Sequence, residues 1–334
     1  MKKTLFLLSI ALLITCCLST LSLQAKNKKI AQTGFQFLSV TSDAHAAAIA
    51  GAVTSAEIKS SSLFFNPAGM ANMTQFIDVS LSLNKWIADI NHHTVSLAIS
   101  PKSGRYGVFG ISFQSIDYGD VLGTRVDVTD PKGYIDTDKL SPSAFAVGFG
   151  YAKALTDRFS VGGQIKWVRQ DLEQSMIPTS DTTAANKSYE LSPVAYDFGT
   201  LFKTGFKSLA FGMSVRNFSK EIKYEQEGFQ LPLVFTMGIS MNVMDFFEHE
   251  SFDQSLLLTI DATHYRSHPE QLLIGLDYTV MNLLSLRTGF AANNDEDGIT
   301  FGIGISQFGL MLDYAYTPFG VFDQVQRVTA RFSL

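Results

Sequence analysis

From residue 76 to the C-terminus, apolar and polar side chains alternate along stretch after stretch of the sequence. In 254–266, Leu256, Leu258, Ile260 and Ala262 alternate with Thr259, Asp261 and Thr263. In 298–306, Ile299, Phe301, Ile303 and Ile305 alternate with Thr300, Gly302, Gly304 and Ser306. In 323–334, Val328, Ala330, Phe332 and Leu334 alternate with Arg327, Thr329, Arg331 and Ser333. A period of two places successive side chains on opposite faces of a strand, which no helix can do. The pattern predicts strands over 76–84, 91–101, 105–116, 141–155, 157–172, 190–204 and 207–217. It continues over 230–244, 254–266, 269–281, 283–292, 298–306, 308–317 and 323–334. That is about fourteen strands, an even count as bacterial single-chain barrels have.

The connections alternate too. Short ones fall at 101–104, 155–157, 204–206, 281–282 and 306–307, and long polar ones at 117–140, 173–189 and 218–229. Short turns on one side and long loops on the other is the habit of outer-membrane barrels, with the long loops outside the cell. The connection 245–253, long and acidic on the short side, breaks the trend. Charged residues are 17% of the chain, against about 25% in soluble domains. A mean hydropathy of +0.13 fits an apolar face averaged with a polar one. No stretch beyond the N-terminal segment has the uninterrupted apolar length of a membrane helix. Any crossing must then be a closed sheet, which alone besides the helix pairs every backbone group in hydrocarbon. The expected fold is an all-β transmembrane antiparallel up-and-down barrel of about fourteen strands with a small N-terminal plug. A soluble sheet with one wet face shares the alternation. The export signal, even count, loop asymmetry and aromatic-bearing last strand together argue against it.

A charge on the lipid face near the midplane costs about 2–4 kcal/mol for Lys or Arg. Lys166, Asp197, Asp261, Asp277, Arg287, Asp313, Arg327 and Arg331 all fall on the polar parity of their strands, so the lumen is their expected place. Acids and bases are similar in number there. A network that satisfies itself is therefore favoured over an open polar conduit.

Residues 1–25 read as a cleaved signal peptide, with Lys2 and Lys3, an apolar run over 5–14 and Ala25 before the cut. Both cysteines, Cys16 and Cys17, lie within it, which leaves a lipoprotein reading open, although Thr15 before Cys16 suits that signal poorly. The division expected is 1–25 signal, 26–75 plug or hatch, and 76–334 barrel. The segment 26–75 carries a run of small residues after Asp43, a candidate helix cap, and then the turn Asn66-Pro67-Ala68-Gly69.

Within that segment, Gly34-Phe35-Gln36-Phe37-Leu38, Asp43 with the alanines after it, and Phe65-Asn66-Pro67-Ala68-Gly69-Met70-Ala71 resemble the PorV/PorQ family. Trp86 and Asp89 after the first strand, and Leu231-Pro232 opening a middle one, are similar as well. His45, Ala50 and Thr236 depart from the family pattern. The resemblance implies a FadL-like barrel in the outer membrane. It further implies either a role in type IX secretion, with secretion-system proteins or secreted cargo as partners, or passage of a hydrophobic ligand around a displaced plug. Outer-membrane lipid is a partner under both.

Other chemistry finds little support. A net charge of −5 without clustered bases argues against nucleic acid. Adjacent His92 and His93 point to opposite faces and cannot readily share a metal. The acidic run at 293–298 lacks calcium-loop spacing and reads as a solvated loop. Trp86, Trp167, Tyr278, Tyr314 and Tyr316 read mainly as an interfacial girdle. No nucleophile, base and orienting group fall into a recognisable arrangement, so neither catalysis nor a cofactor is expected.

Overall fold

A computed structural model describes residues 33–334 except 128, 179–183, 248–252, 268, 295–297 and 323. The expected signal segment therefore lies outside the described residues. Fourteen strands among those described form the wall. They are β1 (Ile77–Lys85), β2 (Asn91–Ile99), β3 (Val108–Asp117), β4 (Ser143–Ala154), β5 (Phe159–Pro178), β6 (Val194–Lys203) and β7 (Ala210–Ser219). The circuit continues with β8 (Val234–Asn242), β9 (Gln254–Tyr265), β10 (Gln271–Val280), β11 (Leu284–Ala292), β12 (Ile299–Gln307), β13 (Leu310–Pro318) and β14 (Gln324–Ser333). Each pairs antiparallel with the next in sequence, and β14 returns to β1 from Asp78↔Ser333 to Lys85↔Gln326. Closure removes every sheet edge from the wall.

The two faces of the wall are inverted relative to a soluble sheet. Leu81, Phe109, Ile165, Phe198, Met237, Leu286 and Ile303 point outward and are exposed, whereas Asp78, Ser96, Gln164, Asp261, Thr300 and Thr329 are buried. Apolar outside and polar inside suits a wall bathed in lipid.

Three ribbons rise from one end: Val121–Val126 with Tyr134–Leu140, the upper part of β5 with Ala184–Leu191, and Ile222–Lys223 with Gly228–Phe229. At the opposite end the turns are short. The long connection there contains a 3-10 turn, Val243–Phe246, tied to its neighbour: the Ser208 amide and hydroxyl donate to Asp245 at 2.9 and 2.5 Å.

Residues 33–75 contribute no strand to the wall and lie inside it. They hold α1 (Ala44–Ala48) and the 3-10 turns Gln36–Ser39, Lys59–Phe64 and Pro67–Met70. Asp43 caps α1 by accepting from the Ala46 amide at 3.0 Å. The segment begins at the ribbon end, where Thr33 bridges Gln230 in parallel, and leads into β1 at the short-turn end.

Candidate functional site

The first candidate region is the bore. Many of its polar groups bond the inner segment, and others pair across the wall. Arg331 on β14 reaches Asp43 at 3.3 Å and Ser61 at 2.9 Å. Asp261 on β9 accepts from the Thr54 amide at 2.9 Å, and Asp78 on β1 accepts from the Ser60 amide at 3.0 Å. Arg327 donates to the Thr41 carbonyl at 2.8 Å and lies over the Trp86 ring. Arg287 bridges Asp277 at 2.8 Å and Asp313 at 2.5 Å, and His45 of α1 approaches Asp277 at 3.2 Å. Lys166 pairs with Asp197 at 2.8 Å. The Asn217 amide bonds the same aspartate at 2.7 Å, its side chain turned inward by a bulge in β7. All eight wall charges considered above are thus buried and partnered, several of them to the inner segment.

The Asn66-Pro67-Ala68-Gly69 turn is equally fastened. The Asn66 side chain donates to the carbonyls of Thr54 at 2.6 Å and Thr200 at 3.0 Å and accepts from the Ala68 amide at 3.1 Å. Glycines make this contact possible. A Cβ on Gly199 of β6 would sit 1.8 Å from Asn66 Oδ1, and one on Gly162 of β5 would sit 2.5 Å from the Ala68 nitrogen. A cavity in the bore beside Asp43, Phe65, Gln114 and Lys166 holds about 20 Å³, room for a single water.

The second region is a chamber of about 1220 Å³ at the ribbon end, open above and floored by the inner segment. Trp86 forms one side, packed edge-on against Phe319 with ring centroids 4.9 Å apart, and the Trp86 amide donates to the Ile90 carbonyl to close its loop. Opposite, rings rise in a column from Phe37 through Phe35 and Phe229 to Tyr224, with successive centroids 5.6 to 6.3 Å apart. Buried Leu231 packs under Phe35, and the Pro232 carbonyl accepts from Asn217 at 3.0 Å, so Leu231-Pro232 anchors the chamber wall. Asp89 is an exposed residue of the Trp86 loop. Half burial and the negative charges it would face at Tyr118 and Asp171 push the Tyr224 hydroxyl up to about 12, so its phenol stays neutral. His92 lines the chamber, and its Nδ1 has no partner among the described residues.

Sequence reasoning picked out Trp86 but not the ring column. Phe229 and Tyr224 sit in a polar loop with no periodicity, and Phe35 and Phe37 belong to a different part of the chain. Only the fold stacks them.

The family described as type IX secretion system protein PorV matches residues 23–255 of the chain. No curated protein matches it. Among solved structures, a FadL homologue from Pseudomonas aeruginosa aligns with TM-score 0.54 at 12% identity, covering 88% of this chain and 98% of that one. The CymD monoaromatic hydrocarbon channel aligns with TM-score 0.54 at 10% identity, covering 88% and 97%. The Pseudomonas putida toluene transporter TodX aligns with TM-score 0.52 at 13% identity, covering 82% and 92%. At such low identity these likenesses show a shared fold.

Proposed function

Because the chain belongs to the PorV family of type IX secretion system proteins, we propose that it works as a closed barrel whose outward chamber and ribbons receive protein partners of the secretion machinery. Its place is the bacterial outer membrane, with lipid around the wall. Residues 33–75 serve as a fixed plug and residues 76–334 as the barrel that carries it. No catalytic role is assigned.

One observation carries this reading: the bore is filled while the mouth is open. Below the chamber of about 1220 Å³, the inner segment is bonded to β1, β9 and β14 of the wall, and the cavity beside Asp43 and Lys166 holds about 20 Å³. Passage of a hydrophobic ligand, the alternative, would need a movable turn at Asn66 or a gap in the wall. The turn is bonded to Thr54 of the inner segment and to Thr200 of the wall. Antiparallel ladders of seven or more Cα partners join every neighbouring pair of wall strands. Both features favour the partner-binding role.

Purification of the protein from its native membrane, with proteins and lipids of one sample identified together, tests the choice. Stoichiometric secretion components are the expected outcome. A sample free of them but carrying one tightly held hydrocarbon or fatty acid would transfer the case to transport.

A further inference from the structure

The ribbons leave one gap whose sides are backbone. β4 and β5 pair from Ala154↔Ser160 up to Ser143↔Asp171, and there their ladder stops. Above that level Tyr134–Leu140 leads into β4, and residues 172–178 continue β5. These two stretches follow one another in barrel order, yet among the described residues no ladder joins them. Tyr134–Leu140 pairs with Val121–Val126, and the upper part of β5 pairs with Ala184–Leu191. Each keeps one edge without a ladder, and both edges border the same gap.

An edge of unpaired amides and carbonyls is a template for a further strand, and a two-stranded ribbon alone is marginal in water. Proteins usually blunt such edges with charge or proline. Tyr134–Leu140 carries the charges of Asp136 and Lys139. In residues 172–178 a bulge at Leu172–Glu173, where the Glu173 amide bonds the Asp171 carboxylate at 2.9 Å, marks one end and Pro178 the other, and the stretch 174–177 between them carries neither charge nor proline. The surroundings are apolar as well: Leu122 is 73% and Val126 80% exposed, and Leu172 lines the chamber. The parallel bridge of Thr33 to Gln230, beside the neighbouring ribbon, shows that backbone from outside the wall can pair at this level.

We propose that a partner polypeptide adds one extended strand along residues 172–178 and lowers side chains into the ring-lined chamber below. The occupant is a polypeptide because the edge offers repeating backbone donors and acceptors, which a small hydrophobic solute cannot answer. The proposal rests on the protein-partner reading above and specifies where and by what bonds the partner is held.

Hydrogen exchange on the full-length protein in detergent, with and without the C-terminal domain of a secreted cargo from the same bacterium, tests it. Exchange at 172–178 slows on binding. Neighbouring residues of a strand aim their amides at opposite edges, so of Gln174→Pro and Ser175→Pro one removes an outward donor and spares the ribbon. That variant, recognised by unchanged protection of Ala184–Leu191 in the free protein, binds roughly ten-fold more weakly, as loss of an intermolecular hydrogen bond and of strand geometry requires. Both variants keep the mobility shift of a folded barrel on unheated gels. Binding with unaltered exchange at 172–178, or with both variants matching the parent, overturns strand addition and leaves the protein-partner reading standing. No binding of the domain overturns strand addition, and the protein-partner reading falls with it when purification from native membrane also yields no secretion component. Protection of 172–178 by toluene alone overturns strand addition in favour of a solute site.

Discussion

Arg331 and Asp43 show how a single buried residue here does two jobs, lining the wall and holding the inner segment. Both are almost fully buried, and Ser61 shares the pair. Removing one partner of a buried pair strands the other charge and costs about 3–5 kcal/mol. Arg331→Met is therefore expected to lower unfolding stability in lipid vesicles by about that amount, whereas the double variant with Asp43→Leu recovers much of it. Equal losses in single and double variants would refute the coupling. At Gly199 the constraint is steric. Alanine there meets Asn66 Oδ1, so Gly199→Ala is expected to cost about 1–3 kcal/mol, read as a lower denaturation midpoint. Strand parity assigns Arg331 a face, because lipid penalises the other choice. It cannot name Asp43 as the partner, since 288 positions separate them.

Elements were legible to different degrees. The wall strands lie within a few residues of the alternating stretches, because the pattern records which face meets lipid. β5 runs six residues past the predicted end at 172, to Pro178. Above the wall neither face meets lipid or core, so alternation fades and only the pairing with Ala184–Leu191 reveals the strand. That ribbon is linked to the next by an ion pair between Lys187 and Glu225. The hydrogen bond from Lys187 holds the Glu225 carboxyl below its usual 4.5, and the same bond holds the Lys187 ammonium above its usual 10.5. A depressed acid gives its contribution above the unfolded value and loses it as pH falls through the folded one. A raised base gives its contribution below its unfolded value and loses it as pH rises through the folded one. The link is thus expected to hold between pH 4.5 and 10.5 and to loosen in stronger acid. Amide exchange of the two ribbons across that range checks it, and loosening near neutrality would count against the link. Both side chains are substantially exposed, so molar salt should weaken it at any pH.

At the scale of the molecule, the filled bore predicts electrical silence. In planar bilayers the protein is expected to carry no steady ion current, and a porin-like conductance would falsify the fixed plug. The closed antiparallel circuit was legible from the even strand count and loop rhythm, but the depth of the chamber was not, since it depends on where the inner segment stops. That segment starts beside Gln230 at the ribbon end and is gripped by the last strand as well as the first: Thr329 bonds the Ala44 amide, and Asp78 bonds the Ser60 amide. β14 also completes the circuit with β1. Sealing the seam and locking the stopper consequently depend on the same ten residues, Gln324–Ser333. Loss of that one strand would open the wall and release the centre together, so closure and retention of the inner segment rise or fall as one.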